Sequence, residues 1–222
     1  MPLSYLNCEG RSDPAVWWCS PCTTAIVIMR ARHFVPIGLL ALSLSAAFSL
    51  GAAQDVLPKI DNERVTVFDA VGTLPRADHD FAVVPMARKG RAEYHHMGDI
   101  PGKTGTRAIV VELKDSPLKT YPNNSGYPNA FPRPRAKRLF ENEKVIVWSY
   151  SWKLGEPTPM HFHDKDVVVV YEDDTTLKST ALDGTSVINH YQAGEVRFNR
   201  GDRTHTELLV TGAGSAVIVE LK

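Results

Sequence analysis

From Lys144 onward the chain is a succession of short β-branched and aromatic runs broken by turn residues, and nothing in it keeps a helical period. Lys144–Trp152 reads Lys-Val-Ile-Val-Trp-Ser-Tyr-Ser-Trp. Val167–Tyr171 is an unbroken apolar run closed by Glu172-Asp173-Asp174. Ser186–Tyr191, Glu195–Phe198, Thr206–Val210 and Ser215–Leu221 follow, separated by Asp-Gly, Ala-Gly and Gly-Ala-Gly breaks. Many short strands with a turn roughly every ten residues bury themselves only by forming a sandwich or a barrel. The predicted class is all-β, with one short helical turn expected at Arg135–Glu143.

The first 53 residues read differently. Met29-Arg30-Ala31-Arg32-His33 is a positive start, and Ile37–Ala53 is a short apolar run ending in small residues. Together they describe a signal peptide over residues 29–53 with cleavage after Ala53, and hence a periplasmic or secreted protein. The alternative is a single membrane anchor, for which the run is short and rich in Ser and Gly. Residues 1–28 then precede the natural start and read as a non-native upstream extension. All three cysteines, Cys8, Cys19 and Cys22, fall within it. Cys19-Ser20-Pro21-Cys22 has redox or zinc spacing, but a lone pair without a structural frame is weak. Cleavage leaves no cysteine, so the remainder needs no disulfides.

Residues 54–222 carry 22 Lys and Arg against 23 Asp and Glu, a formal charge of −1. No basic footprint for nucleic acid is present. After signal cleavage no membrane span is expected.

Two stretches echo one another. Asn62-Glu63-Arg64-Val65-Thr66-Val67 resembles Asn142-Glu143-Lys144-Val145-Ile146-Val147, and Arg107–Lys114 resembles Ser215–Lys222 in the same order. This pattern suits a duplicated β-module whose first copy, within residues 54–114, is shortened. The bland alternative is that apolar strands ending in charged pairs look alike. Residues 115–138, rich in Pro, Asn and Tyr, form an extended linker, or a lid laid across a barrel mouth.

The chemistry-bearing residues lie behind a Gly-Pro-rich turn, in Gly155-Glu156-Pro157-Thr158-Pro159-Met160-His161-Phe162-His163. A third histidine follows in Arg203-Thr204-His205-Thr206-Glu207. On strands, the two-residue period places His161 with His163 on one face and His205 with Glu207 on one face. Three imidazoles and a carboxylate meeting inside a barrel would bind a divalent transition metal, namely Mn, Fe, Ni, Zn or Cu. The competing reading is a dry barrel in which the histidines bond one another and Glu207. Arg197, Asn199 and Arg203 suit an anionic substrate or an exposed turn equally well. Trp148, Tyr150 and Trp152 share a face and are read as core. Tyr171 and His190 either line the cavity or fill it.

With these residues in place, 139–222 resembles the cupin superfamily of small double-sheeted barrels. Gly155, the five residues 156–160 and His161-Phe162-His163 match its first motif. Gly194, Asn199-Arg200-Gly201 and His205 follow its second. The first-motif glutamate falls at Val167 or Val168, so that ligand is missing, and Asp166 belongs to the opposite strand face. Asn199 stands in place of a proline and His205 comes one residue late, implying a longer turn. The resemblance implies a cupin-like double-stranded β-helix (jelly-roll) with His161, His163 and His205 as metal ligands and Glu207 as an optional fourth. His79-Asp80 looks like His163-Asp164, and Gly90 with His95 and His96 looks like Gly201 with His205, so the first copy lacks a complete site.

Two function classes follow. One is a metalloenzyme of the oxygenase or isomerase type acting on a small molecule. The other is a non-catalytic small-ligand-binding or sensing barrel, with or without metal. The resemblance also implies a homodimer, formed by pairing through an exposed strand.

Overall fold

The computed structural model describes residues 57–99 and 104–222, all within one compact unit that spans Gly51–Lys222. The expected upstream extension and signal segment (residues 1–53), with the three cysteines, lie outside the described residues. Fourteen strands and no helix occur among them, and none of their elements is a long apolar helix able to cross a membrane. The first five are β1 (Ile60–Asp61), β2 (Val65–Gly72), β3 (Phe81–Pro85), β4 (Glu93–His95) and β5 (Thr104–Leu113). They form an antiparallel first sheet in the order β1-β2-β5-β3-β4. Then come β6 (Ala136–Glu141), β7 (Val145–Ser151), β8 (His161–His163), β9 (Asp166–Tyr171) and β10 (Thr175–Ala181). The last four are β11 (Ser186–Tyr191), β12 (Val196–Asn199), β13 (Arg203–Gly212) and β14 (Ser215–Leu221).

These nine divide into a central sheet, β6-β7-β14-β9-β12, and a site sheet, β11-β10-β13-β8. From β7 to β10 and again from β11 to β14 successive strands alternate between the two sheets, giving the double-stranded jelly-roll anticipated for this region. The central sheet is covered on both sides, which explains the unbroken run Val167–Val170. Its alternate residues Val168 and Val170 join Val147 and Val219 in a core shared with Val67, Ile109 and Val111 of the first sheet. Val167 and Val169 face the other way, with Trp148, Tyr150 and Ile218, into a core shared with Leu177 and Leu209 of the site sheet. A strand buried on both faces has no polar alternation to show. Each fully buried Val or Ile contributes ~1.5–3 kcal/mol.

The first sheet and the central sheet share strand order and register. Val65 pairs with Leu113 and Val67 with Val111, as Val145 pairs with Leu221 and Val147 with Val219. Ala82 lies opposite Val111, as Val168 lies opposite Val219. Asn62 Oδ1 accepts from the Arg64 and Val65 amides, and Asn142 Oδ1 accepts from those of Lys144 and Val145. The ion pairs between the sheets are exchanged in the same sense, Arg64 with Asp166 (3.6 Å) and Lys144 with Asp80 (3.3 Å).

Two expectations change. Arg135–Glu143 holds strand β6 rather than a helical turn, because Ala136–Glu141 ladders onto β7. The register also equates Asp80 with Asp166 and His95 with Asn199, not His79-Asp80 with His163-Asp164. Short sequence echoes slide easily by a residue or two, whereas a ladder flanked by two buried faces cannot. His95 stacks on Phe81, whereas His96 is exposed beside Asp80, so the two do point apart.

Candidate metal centre

The three histidines meet because β8 and β13 are antiparallel neighbours on the site sheet, with His161 opposite His205 and His163 opposite Arg203. The two-residue period then turns His161 and His163, together with Arg203, His205 and Glu207, toward the barrel interior. The extra residue in the turn before β13 is absorbed at Asp202, which adopts φ 58° and donates its amide to His163 O at 2.8 Å. Aspartate tolerates that left-handed conformation better than most residues. Gly201 has to be small, since a Cβ there would stand 2.4 Å from the Tyr121 ring.

All three imidazoles are buried, and one ring nitrogen from each lies within 4.8 Å of the others. His163 Nε2 is 3.3 Å from His205 Nε2. Two nitrogens bound at ~2.1 Å to one ion stand ~3.0–3.4 Å apart, so this pair is already at chelating distance. His161 Nδ1 donates to Pro159 O at 2.8 Å, which leaves Nε2 as its acceptor nitrogen. His205 Nδ1 is 3.4 Å from Ser179 Oγ, while the buried His163 Nδ1 has no hydrogen-bond partner. Outer contacts of this kind fix the tautomer of a metal-binding histidine. Burial, reinforced by the nearby Arg133 charge, lowers His161 to about 4. Burial also holds His163 well below the ordinary histidine range and lowers His205. Neutral imidazoles with converging lone pairs fit a divalent transition ion.

Glu207 stands beside the cluster. Its Oε1 is 3.9 Å from His205 Nε2, and its Oε2 accepts from Trp152 Nε1 at 3.0 Å and from Arg133 Nη2 at 3.3 Å. Burial works against its charge, but the Arg133 guanidinium and the Trp152 indole N–H prevail and hold the carboxyl below the ordinary carboxylate range. Its backbone is clamped as well, with N donating to Thr158 Oγ1 and O accepting from Thr158 N, both at 2.8 Å. Asp166 is turned away from the site, where it accepts from Tyr121 Oη and the Gly201 amide. At the place of the motif's glutamate the cavity has the side chain of Val167.

Arg133 is the residue that sequence reasoning missed. Its Nη1 donates to His161 Nε2 at 2.7 Å, and its guanidinium lies 4.1 Å from the Tyr150 ring and 4.7 Å from the Phe131 ring. It reaches the interior because the segment before β6 packs onto the barrel. Ala130 N donates to Phe162 O and Phe162 N to Pro128 O, and Phe131 stacks on Trp148. Nothing periodic marks an arginine between Pro132 and Pro134; only the surrounding aromatics hinted that this stretch could pack.

His163 and His205 open into a cavity of about 240 Å³. Arg197, Arg203, Asn189, Asn199 and Ser179 contribute polar groups, and Trp152, Leu177 and Ile218 an apolar side. Tyr171 lines it and stacks on Tyr191, whereas His190 is exposed and pairs with Thr176 outside. Trp152, read as core, both packs against Tyr150 and holds Glu207.

No protein-family model matches the chain, and no curated protein matches it. Among solved structures it is similar to a cupin domain from Bordetella pertussis Tohama I, at 24% identity over 43% of this chain and 96% of that one, TM-score 0.36. A cupin 2 conserved barrel domain protein from Leptotrichia buccalis aligns at 14% identity over 75% of this chain and 88% of that one, TM-score 0.41. A cupin superfamily protein from Desulfitobacterium hafniense DCB-2 aligns at 15% identity over 48% of this chain and 98% of that one, TM-score 0.31.

Proposed function

We propose that this cupin-fold chain binds a divalent transition metal through His161, His163 and His205 and acts on a small molecule held beside it. The observation that carries the reading is the convergence of three buried, neutral imidazoles on one point. Burying three such groups side by side is costly unless a cation shares them, and Arg133 hydrogen-bonds only His161 of the three. A bound ion would supply Lewis acidity and an open coordination position, chemistry that suits an oxygenase or an isomerase. Glu207 serves here as an outer carboxylate. Its ionised oxygens, oriented by Trp152 and Arg133, offer a hydrogen-bond acceptor to a ligand in the cavity. Trp152, Leu177 and Ile218 keep that side of the cavity apolar. Export to the periplasm or the medium, proposed from Ile37–Ala53, and pairing of two copies through an exposed strand complete the reading.

Arg133 favours the second reading, a non-catalytic binding barrel. Its cation lies on His161 and Glu207, where a metal or its water would otherwise compete for the same electrons. Elemental analysis of the purified chain beside His161→Ala, His163→Ala and Glu207→Ala decides between them. The metalloprotein reading expects near-stoichiometric Mn, Fe, Ni, Cu or Zn in the wild type, lost in both histidine variants and kept in Glu207→Ala. No metal after reconstitution with each ion would leave the binding barrel.

A further inference from the structure

We infer that the ligand of this cavity is a small organic acid whose single carboxylate sits on Arg203 while the rest of the molecule reaches toward His163 and His205. The inference rests on the small-molecule reading above and goes on to name the class of ligand.

Three arginines line the cavity, with Glu207 as its one carboxylate. Two of the three are already compensated. Arg133 is 3.3 Å from Glu207, and Arg197 is 2.9 Å from Glu195. Arg203 forms no ion pair among the described residues. Its Nε donates to Arg200 O at 2.9 Å, a contact that aims the side chain without neutralising it. The Glu207 charge acts on it only from beyond ion-pair distance, so an anionic ligand in the cavity would complete its neutralisation. One uncompensated cation calls for one negative charge, which suits a monocarboxylate better than a phosphate dianion. The planar guanidinium fork matches a carboxylate in bidentate fashion. Asn189, Asn199 and Ser179 line the same cavity and offer neutral donors to the same group.

The spacing sets the size. Arg203 and His205 lie two residues apart on one face of β13, so their side chains leave the strand about 7 Å apart. A ligand bridging them is a short acid, and the cavity of about 240 Å³ holds nothing large. Leu177 and Ile218 give its hydrocarbon part an apolar wall.

The test is calorimetric titration of the full chain, both metal-free and loaded with Mn or Zn. The probes are butyrate, 2-hydroxybutyrate and benzoate, their amides butyramide and benzamide, and inorganic phosphate. Trp152, in contact with Glu207 at the cavity wall, supplies a fluorescence readout independent of metal and of turnover. Carboxylates are expected to bind at least ~10-fold more tightly than the matching amides and than phosphate. Arg203→Gln should lose ~10-fold or more and Arg203→Lys less. Arg200→Gln, on the exposed rim and paired with Glu63, should change nothing. Amides binding as well as acids, phosphate binding best, no carboxylate binding at millimolar concentration, or an Arg203→Gln variant that folds and keeps wild-type affinity would each overturn the inference. Carboxylate selectivity in a chain that takes up no metal would uphold it and sink the metal reading; a loaded chain without selectivity would do the reverse.

Discussion

The first sheet and the central sheet are built alike yet only one borders a site. Both run in the same strand order, pair in the same register and carry the same asparagine turn ahead of their second strand. The difference lies in what covers their far faces. Beyond the central sheet stands the four-stranded site sheet, bearing His161, His163 and His205. Beyond the first sheet, Leu74 and Ala77 of the β2–β3 connection close directly over Ala70, Phe81 and Val110. Among the described residues no second sheet stands there to carry inward-facing ligands. A barrel site therefore belongs to the pair of sheets, and a single sheet with a sealed far face retains only its packing role. We propose that the first sheet is a shortened copy whose remaining task is to cover the central one.

If covering is its task, the two sheets share one fold and unfold together. Ile109→Ala and Val217→Ala occupy matching positions in the shared core and are expected to cost ~2–5 and ~1–3 kcal/mol respectively. Each should shift a single denaturant transition seen alike by circular dichroism and by tryptophan fluorescence. Two separate transitions would show that the first sheet folds alone and would break the comparison.

Acid should strike the site sheet selectively. His161 is lowered to about 4 by burial and by Arg133, from an ordinary value of 6.5. Between those values the unfolded chain takes up a proton that the folded chain refuses, so stability falls as pH drops through the window and is restored above pH 6.5. His161 alone contributes on the order of 3 kcal/mol of this loss, with His163 and His205 acting in the same direction. Urea midpoints measured from pH 7 to pH 4 check it, and His161→Gln should flatten the slope. An unchanged slope in that variant would remove His161 as the source.

The exchanged ion pairs sharpen the comparison at smaller scale. Arg64 is buried and also donates to Lys222 O at 2.6 Å, whereas Lys144 is half-exposed. Arg64→Met is expected to cost ~1.5–3 kcal/mol and Lys144→Met no more than ~1 kcal/mol. Equal costs would mean that burial does not distinguish the two equivalent positions.

Much of this was legible in the residues. β11 and β14 coincide with the runs Ser186–Tyr191 and Ser215–Leu221, since β-branched runs bounded by glycine turns leave little choice of boundary. Strand β10 was not, because Thr-Thr-Leu-Lys-Ser-Thr-Ala buries mainly Thr175 and Leu177 and reads as polar chain. The convergence of His161, His163 and His205 followed from two-residue alternation together with the motif spacing. Arg133 did not, because its position depends on Phe131 stacking upon Trp148, a contact between segments that no local pattern announces.

By itself the sequence determined the all-β class, the strand faces and the histidine set, because alternation and turn chemistry act over a few neighbouring residues. Tertiary structure alone decided that Glu207 pairs with Arg133 and Trp152, that Asp166 is turned from the site, and that Arg203 has no ion pair among the described residues. Those outcomes depend on which charges from distant segments share one small volume of low dielectric, and that is set only when the sheets close.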